Sequence, residues 1–398
     1  MRKSGIILLL VSLALFGSCQ SDSFEPIEYK YFEGVLFERK VDFQTMIDDV
    51  MHHYGESAGD FGELDGLLQK GRLLAKDYTV YGIKYKTVDH EGKPVSASGL
   101  IYFPESFRKK GTLEMIPVNK SRVNCGTANR SIPEAIAGCT GYIMIVPDLL
   151  GCGESSDYAI CYMQHDLIVR VAADMRKAAY EFLYNQRRFR LGRYDYLFGY
   201  SLGGSGVLAL ARYYAEHPEE GVKVKELWLG AGAYFPRQMV DMFVKTRQSS
   251  YAILPNILYS LEWYENLGLD FNEVFTGDLR DNYEELVTGD VSTDYLSSRF
   301  GSSLDAYISP DFMSEDCEGW RKVQESLSAK DIPIDFKPDF PVYLYHSVDD
   351  TVIPHDLSDT LCARLRRVGC KVNYVVTEGT HHNTGFQIEG DLALHLAL

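Results

Sequence analysis

The sequence predicts an α/β protein with a mostly parallel sheet, and three stretches carry that expectation. In the first, Asp195-Tyr-Leu-Phe-Gly-Tyr-Ser201-Leu-Gly-Gly204, an aromatic-rich apolar run (Tyr194, Tyr196, Leu197, Phe198) meets a serine between glycines. A Leu/Ala stretch then runs through Ala211. That order is strand, sharp turn, helix. In the second, Asp339 to Pro354, a buried run from Val342 to Tyr345 enters a loop with Asp349 and Asp350, and a helix opens after Pro354. In the third, the β-branched run from Lys371 to Thr377 ends in Glu378-Gly-Thr-His381-His382-Asn383. Strands that alternate with helical patterns argue for crossover connections and parallel pairing.

The same three stretches carry candidate chemistry. A serine at such a turn sits on a strained backbone, and small neighbours let strand and helix close up. The hydroxyl of Ser201 then projects off the sheet end, and the helix start behind it offers the Leu202 amide to a developing oxyanion. A nucleophilic serine needs a base, and the base needs an orienting acid. Acid after one strand (Asp349 or Asp350) and histidine after the next (His381 or His382) is the arrangement that lets three loops converge at the C-terminal ends of parallel strands.

On these residues the chain resembles an α/β-hydrolase, from about residue 77 to the C-terminus. His346-Ser-Val-Asp-Asp350-Thr-Val-Ile-Pro354 is similar to the H-G-x-x-D-x-x-V-P acid loop of that family, with Ser347 in place of the glycine. That register implies Asp350 as the acid. Val146-Pro-Asp148-Leu-Leu-Gly151-Cys-Gly153-Glu-Ser155 resembles its D-x-x-G-x-G-x-S loop. Tyr78 to Phe103, with the Asp89–Lys93 turn, looks like the opening hairpin of secreted bacterial esterases, whose T-H-x-x-x-G matches Thr380-His381-His-Asn-Thr-Gly385. The resemblance therefore implies His381 as the base in preference to His382. It also implies an ester hydrolase acting through Ser201, Asp350 and His381 on a small-molecule ester, with no cofactor and no metal.

The resemblance leaves one departure. After the strand Leu113–Val118, Lys120 and Ser121 stand where the family commonly has His-Gly, whose backbone helps to bind the oxyanion. The expected oxyanion donors are the Leu202 amide and a backbone amide at Ser121. Lys120, Arg122 and Arg130 gather positive charge in this loop, either as a solvated loop or as a recognition patch for an acidic group on the substrate. Two alternatives to an esterase stay open. One is a peptidase or aminopeptidase of the same fold, and the other a binding lipoprotein on a decayed hydrolase fold.

The N-terminus reads as an export signal. Met1-Arg2-Lys3 is a basic start, Ile6 to Phe16 is an apolar run too short for a stable membrane span, and Phe16-Gly-Ser-Cys19 closes it. Small residues before a cysteine resemble the bacterial lipoprotein box. The expectation is removal of residues 1–18, lipidation at Cys19 and attachment to the bacterial cell envelope by that anchor alone. Gln20 to Glu25 is polar and acidic, reads as a tether, and is weakly similar to surface-export signals of Bacteroidetes lipoproteins.

Organisation follows: signal 1–18, tether and lead-in 19–76 with a helix over 43–54, core 77–232, a cap over 233–335, and core again over 336–398. The insertion is rich in large apolar residues (Tyr234, Phe235, Met239, Phe243, Tyr251, Trp263) and resembles a helical cap over the nucleophile. With 45% hydrophobic and 24% charged residues the chain can fill a large core, and no later segment could span a bilayer. The formal charge of −16 argues against nucleic acid and anionic membrane surfaces as partners. Of eight cysteines, Cys152–Cys161 and Cys362–Cys370 are the nearest candidate pairs in sequence, and no C-x-x-C metal spacing occurs.

Overall fold

The computed structural model describes residues 24–54, 75–107, 111–118, 121–192 and 194–398. Residues 1–23, and with them the expected cleavage and Cys19 lipidation sites, lie outside the described residues, as does Lys120.

Nine strands form one sheet in the order β1-β2-β3-β5-β4-β6-β7-β8-β9. The strands are β1 (Phe32–Val41), β2 (Tyr78–Val88), β3 (Pro94–Pro104), β4 (Thr112–Ile116), β5 (Ile143–Pro147), β6 (Tyr194–Tyr200), β7 (Lys223–Gly230), β8 (Val342–Ser347) and β9 (Val372–Thr377). The first three run antiparallel as a hairpin with an added edge, and β3 pairs antiparallel with β5. From β5 onward every pairing is parallel. The sheet is thus mixed and mostly parallel, as expected of the α/β class.

Helices cover both faces. In chain order they are α1 (Phe43–Tyr54), the single turn α2 (Gly126–Asn129), α3 (His165–Arg187) and α4 (Leu202–Glu216). Between β7 and β8 lie α5 (Pro236–Thr246), α6 (Ile253–Glu265), α7 (Phe271–Val274), α8 (Gly277–Leu286), α9 (Thr293–Phe300) and α10 (Glu318–Ala329). The chain closes with α11 (Asp356–Arg367) and α12 (His381–Ala397). The central strands β4, β5 and β6 are buried on both faces, under helices on both sides. In β4 and β5 every residue is buried, and in β6 only Tyr194 is exposed.

Between β7 and β8 the strand/helix alternation lapses into six helices, the expected helical insertion. Tyr234, Phe235, Met239 and Phe243 pack into the main core, as do Leu254, Ile257 and Trp320. The lead-in holds a surprise. The expected helix 43–54 is present, but β1 precedes it within the expected lead-in and forms the sheet's outer edge.

Candidate active site

Ser201 stands between β6 and α4 at φ 56°, ψ −123°, a backbone region that side chains other than glycine rarely occupy. Two glycines make the turn possible. A Cβ on Gly199 would lie 2.1 Å from the carbonyl oxygen of Gly203, and one on Gly203 would lie 1.9 Å from that of Ile116. Strand, helix and the neighbouring β4 therefore meet at van der Waals limits, which only glycine permits. The Ser201 amide donates to the carbonyl of Gly230 on β7 at 2.8 Å, fixing the turn against the next strand. Leu202 is the first residue of α4, so its amide has no acceptor within the helix.

His381 opens α12, where the sequence reading had a loop. Thr380 and Asn383 form a reciprocal capping pair at that helix start. The Tyr200 hydroxyl donates to the His381 carbonyl at 2.8 Å, and its ring lies 4.7 Å from the imidazole. The first turn of α12 is also pinned to β8, because the Ser347 amide donates to the Thr384 hydroxyl at 2.9 Å.

These supports bring three side chains into line. The Ser201 Oγ–H points to Nε2 of His381 at 3.1 Å, and the Nδ1–H of His381 donates to Oδ2 of Asp350 at 2.6 Å. The other carboxylate oxygen of Asp350 accepts from the amides of Val352 (2.8 Å) and Ile353 (2.9 Å). Burial alone would raise the Asp350 pKa. The facing His381, and donors from His346 and His381, outweigh it and hold the carboxyl well below its ordinary range. It is therefore an anion at neutral pH.

Asp349 does not join this chain of hydrogen bonds, and neither does His382. The Tyr251 hydroxyl, on the segment before α6, meets Nε2 of His382 at 2.7 Å.

A narrow cavity of about 70 Å³ opens on Ser201 and His381. Its walls are mostly apolar, with Val118, Tyr162, Met163, Ile253, Val352 and Ile353 among them, and Tyr251 and His382 at the cap side. Among the described residues no lysine or arginine lines it. The structure thus takes two of the three cations of the 120–130 loop elsewhere. Arg122 donates to the carbonyls of Gly151 (3.2 Å) and Tyr158 (2.8 Å) and pairs with Asp290 at 3.4 Å. Arg130 lies over the Phe37 ring at 5.2 Å.

Ser121 also departs from expectation. It is fully buried, its backbone is extended at φ −167°, and it does not line the cavity, which this loop reaches through Val118. Asp148, in the loop after β5, is buried and accepts from the hydroxyls of Ser98 (2.6 Å) and Thr127. Burial pushes its carboxyl pKa up, and the role of these bonds is to tie β3, α2 and the loop after β5 together.

Two other features lie outside this cavity. A larger open cleft of about 1050 Å³, lined by β2, α3, α4 and the segment after α10, contains none of Ser201, Asp350 and His381. His355, Asp356 and Asp359, at the start of α11, hold possible metal-ligand atoms within 4.8 Å of one another. Nε2 of that histidine already meets the Tyr374 hydroxyl at 3.0 Å. All seven cysteines among the described residues are free thiols, so neither Cys152–Cys161 nor Cys362–Cys370 is a disulfide.

No family model matches the sequence, and no curated protein matches it. Solved structures do. A putative hydrolase from Legionella pneumophila superposes with a TM-score of 0.74 at 19% identity, covering 92% of this chain and 97% of that one. The rice cell wall degrading esterase LipA from Xanthomonas oryzae, in a ligand-bound form, gives 0.69 at 20% identity over 90% and 96% of the two chains. Candida antarctica lipase A in its closed state gives 0.60 at 12% identity over 93% and 86%. At such identities the likeness is one of fold, and the fold is that of the α/β-hydrolases.

Proposed function

We propose that the chain is a serine hydrolase that cleaves carboxylic esters through an acyl-enzyme. The observation that carries this reading is the unbroken line from Ser201 Oγ through the His381 ring to Asp350, ending at an apolar cavity. Ser201 Oγ attacks the ester carbonyl while Nε2 of His381 takes its proton. Asp350 keeps the ring in the tautomer that leaves Nε2 free to accept, and stabilises the cation that forms. The developing oxyanion meets the Leu202 amide at the start of α4. His381 then returns the proton to the departing alcohol, and water repeats the sequence on the acyl-enzyme.

Esters, rather than peptides, suit a cavity this narrow and apolar, since pockets for drug-sized ligands run to roughly 300–1,000 Å³. The named neighbours include an esterase and a lipase, which agrees with the same reading. A fluorophosphonate probe should label the purified protein at Ser201 and leave Ser201→Ala unlabelled. An unlabelled wild type would overturn the reading in favour of a binding protein. A panel of short acyl esters, long acyl esters and aminoacyl amides then sorts the class. Turnover confined to the amides would move the assignment to an aminopeptidase.

We also propose, from the sequence of residues 1–19, that the mature chain is anchored in the bacterial cell envelope through a lipid on Cys19. Cys19→Ala should move the protein from the membrane fraction into the soluble one. Retention in the membrane fraction would refute the anchor.

A further inference from the structure

Asp350 is gripped from a second side by a histidine that never meets the cavity. His346, on β8, is completely buried. Its Nε2 lies 3.0 Å from Oδ2 of Asp350 and 3.0 Å from the carbonyl of Ile353, and its Nδ1 lies 2.7 Å from the Ser358 hydroxyl on α11. Nε2 faces two acceptors, neither of which holds a proton while Asp350 is ionised, so the ring proton sits there. Nδ1 then accepts from the Ser358 hydroxyl, and every polar atom of the ring is used. Oδ2 of Asp350 is therefore shared between two imidazole donors, one from His346 and one from His381.

We propose that His346 is a positioning residue for the base, acting through Asp350. This inference rests on the serine-hydrolase reading above and adds a fourth member to it. Two consequences follow from sharing one oxygen. First, the carboxylate cannot turn about its Cβ–Cγ bond without breaking bonds to His346, His381 and two amides, so Nδ1 of His381 always finds it in place. Second, part of the charge on Oδ2 is drawn toward His346, which moderates how strongly Asp350 stabilises protonated His381. Losing His346 should then loosen the base and raise the pH at which it becomes protonated.

Other groups near this pair are His355, whose ring packs edge-on 5.2 Å from that of His346, Asp359 at 3.4 Å from His355, and Tyr374 on β9. The Tyr234 hydroxyl stands beside Ser358. None of them comes between His346 and Asp350.

The test is the pH dependence of the fluorophosphonate labelling rate, which reads Ser201 nucleophilicity without a substrate-binding step of its own. His346→Leu should label at least tenfold more slowly, since misplacing a catalytic group costs on the order of 10- to 100-fold. Its acid limb should move up by about half a pH unit. His346→Gln, whose amide N–H can reach Asp350, should restore the wild-type limb and most of the rate. Ser358→Ala, which removes only the donor to Nδ1 and leaves the Nε2–H bond to Asp350 in place, should keep the wild-type limb and most of the rate.

An unmoved acid limb in His346→Leu, with His346→Gln equally slow, would reduce His346 to packing and overturn the proposal. Should the leucine variant fail to fold, His346→Phe, which keeps a planar ring and offers no N–H to Asp350, takes its place, and a wild-type limb there overturns it instead. A wild type that takes no label at all sinks the hydrolase reading and this inference with it. A labelled wild type with indifferent variants sinks the inference alone.

Discussion

At the scale of single residues, the site depends on side chains held where they are costly to hold. Ser201 occupies a backbone region that costs about 1–3 kcal/mol, and the Gly199 and Gly203 contacts and the Gly230 carbonyl keep it there. The adjacent histidines divide sharply, because His381 meets Ser201 and Asp350 while His382 meets Tyr251. His381→Ala should therefore lower kcat about as far as Ser201→Ala, since members of such a unit do not act additively. His382→Ala should stay within about tenfold of wild type, because it removes one bond to the cap rather than the base. Steady-state kinetics on one ester would reverse the assignment if the two variants exchanged places. A third histidine governs stability instead. His165 opens α3, donates from Nδ1 to the Lys330 carbonyl at 3.0 Å, and buries Nε2 without a partner. Burial pushes its pKa down from 6.5 to about 4, so the folded state resists its protonation. That contribution is complete above pH 6.5 and is lost as pH falls toward 4, by about 3 kcal/mol. Urea unfolding at pH 7 and pH 4.5 should show a smaller acid loss in His165→Gln than in wild type. Equal losses would show that the ring is hydrated in the folded state.

At the scale of elements, the segment before α6 acts as a strap across the catalytic loops. Tyr251 and Ala252 both have positive φ, 61° and 43°, an unusual pair for residues with side chains. Ser250 donates to the Thr351 hydroxyl at 3.2 Å, one residue beyond Asp350, and Tyr251 reaches His382, one residue beyond His381. A cavity of about 70 Å³ beneath such a strap admits a bulky ester only when the strap lifts. Tyr251→Phe removes one of its two bonds to the catalytic loops, worth about 1 kcal/mol, so bulky phosphonates should label Ser201 up to about fivefold faster. Small phosphonates should label at the wild-type rate. Equal acceleration of both would mean the tyrosine acts on the base and not on access. The elements around the site were legible in sequence wherever a local pattern encodes them. Strand, turn and helix at Ser201 need only the glycines and flanking periodicity, and α1 showed its full extent at 43–54. What stayed hidden depends on partners remote in the chain. β1 is a half-exposed edge inside the expected lead-in, and its strand state comes from pairing with β2. Arg122 looked free because its acceptors are backbone carbonyls of Gly151 and Tyr158. His381 reads as a loop residue because the cap of α12 uses Asn383 where the commoner pattern has Glu or Gln.

At the scale of the whole molecule, the sheet is locked at the end opposite the site by a buried charge cluster. Arg176 on α3 reaches Asp195 at the start of β6 at 2.6 Å and Glu114 on β4 at 3.0 Å. The Tyr214 hydroxyl on α4 donates to Glu114 at 2.7 Å. Both carboxylates are buried, and burial together with the nearby Asp195 raises the Glu114 pKa well above its ordinary value. Three elements thus meet on one guanidinium, with α4 joined through Tyr214 and Glu114, at the end of β6 remote from Ser201. Removing it would strand two carboxylates out of water, a change that typically costs about 3–5 kcal/mol, against less than 1 for a solvent-exposed pair. Arg176→Met, which keeps the unbranched apolar stem of the side chain, should lower the urea midpoint accordingly while leaving kcat for an ester near wild type. The sign with pH follows from Glu114. Its pKa is raised, chiefly by burial, so protonation relieves the repulsion and the deficit of the variant should shrink as pH falls. Replacing the acids as well, in Arg176→Met/Glu114→Gln/Asp195→Asn, should recover much of the loss, because no buried charge then remains without a partner. A deficit below about 1 kcal/mol that does not change with pH would show that water reaches this cluster and that the sheet does not rely on it.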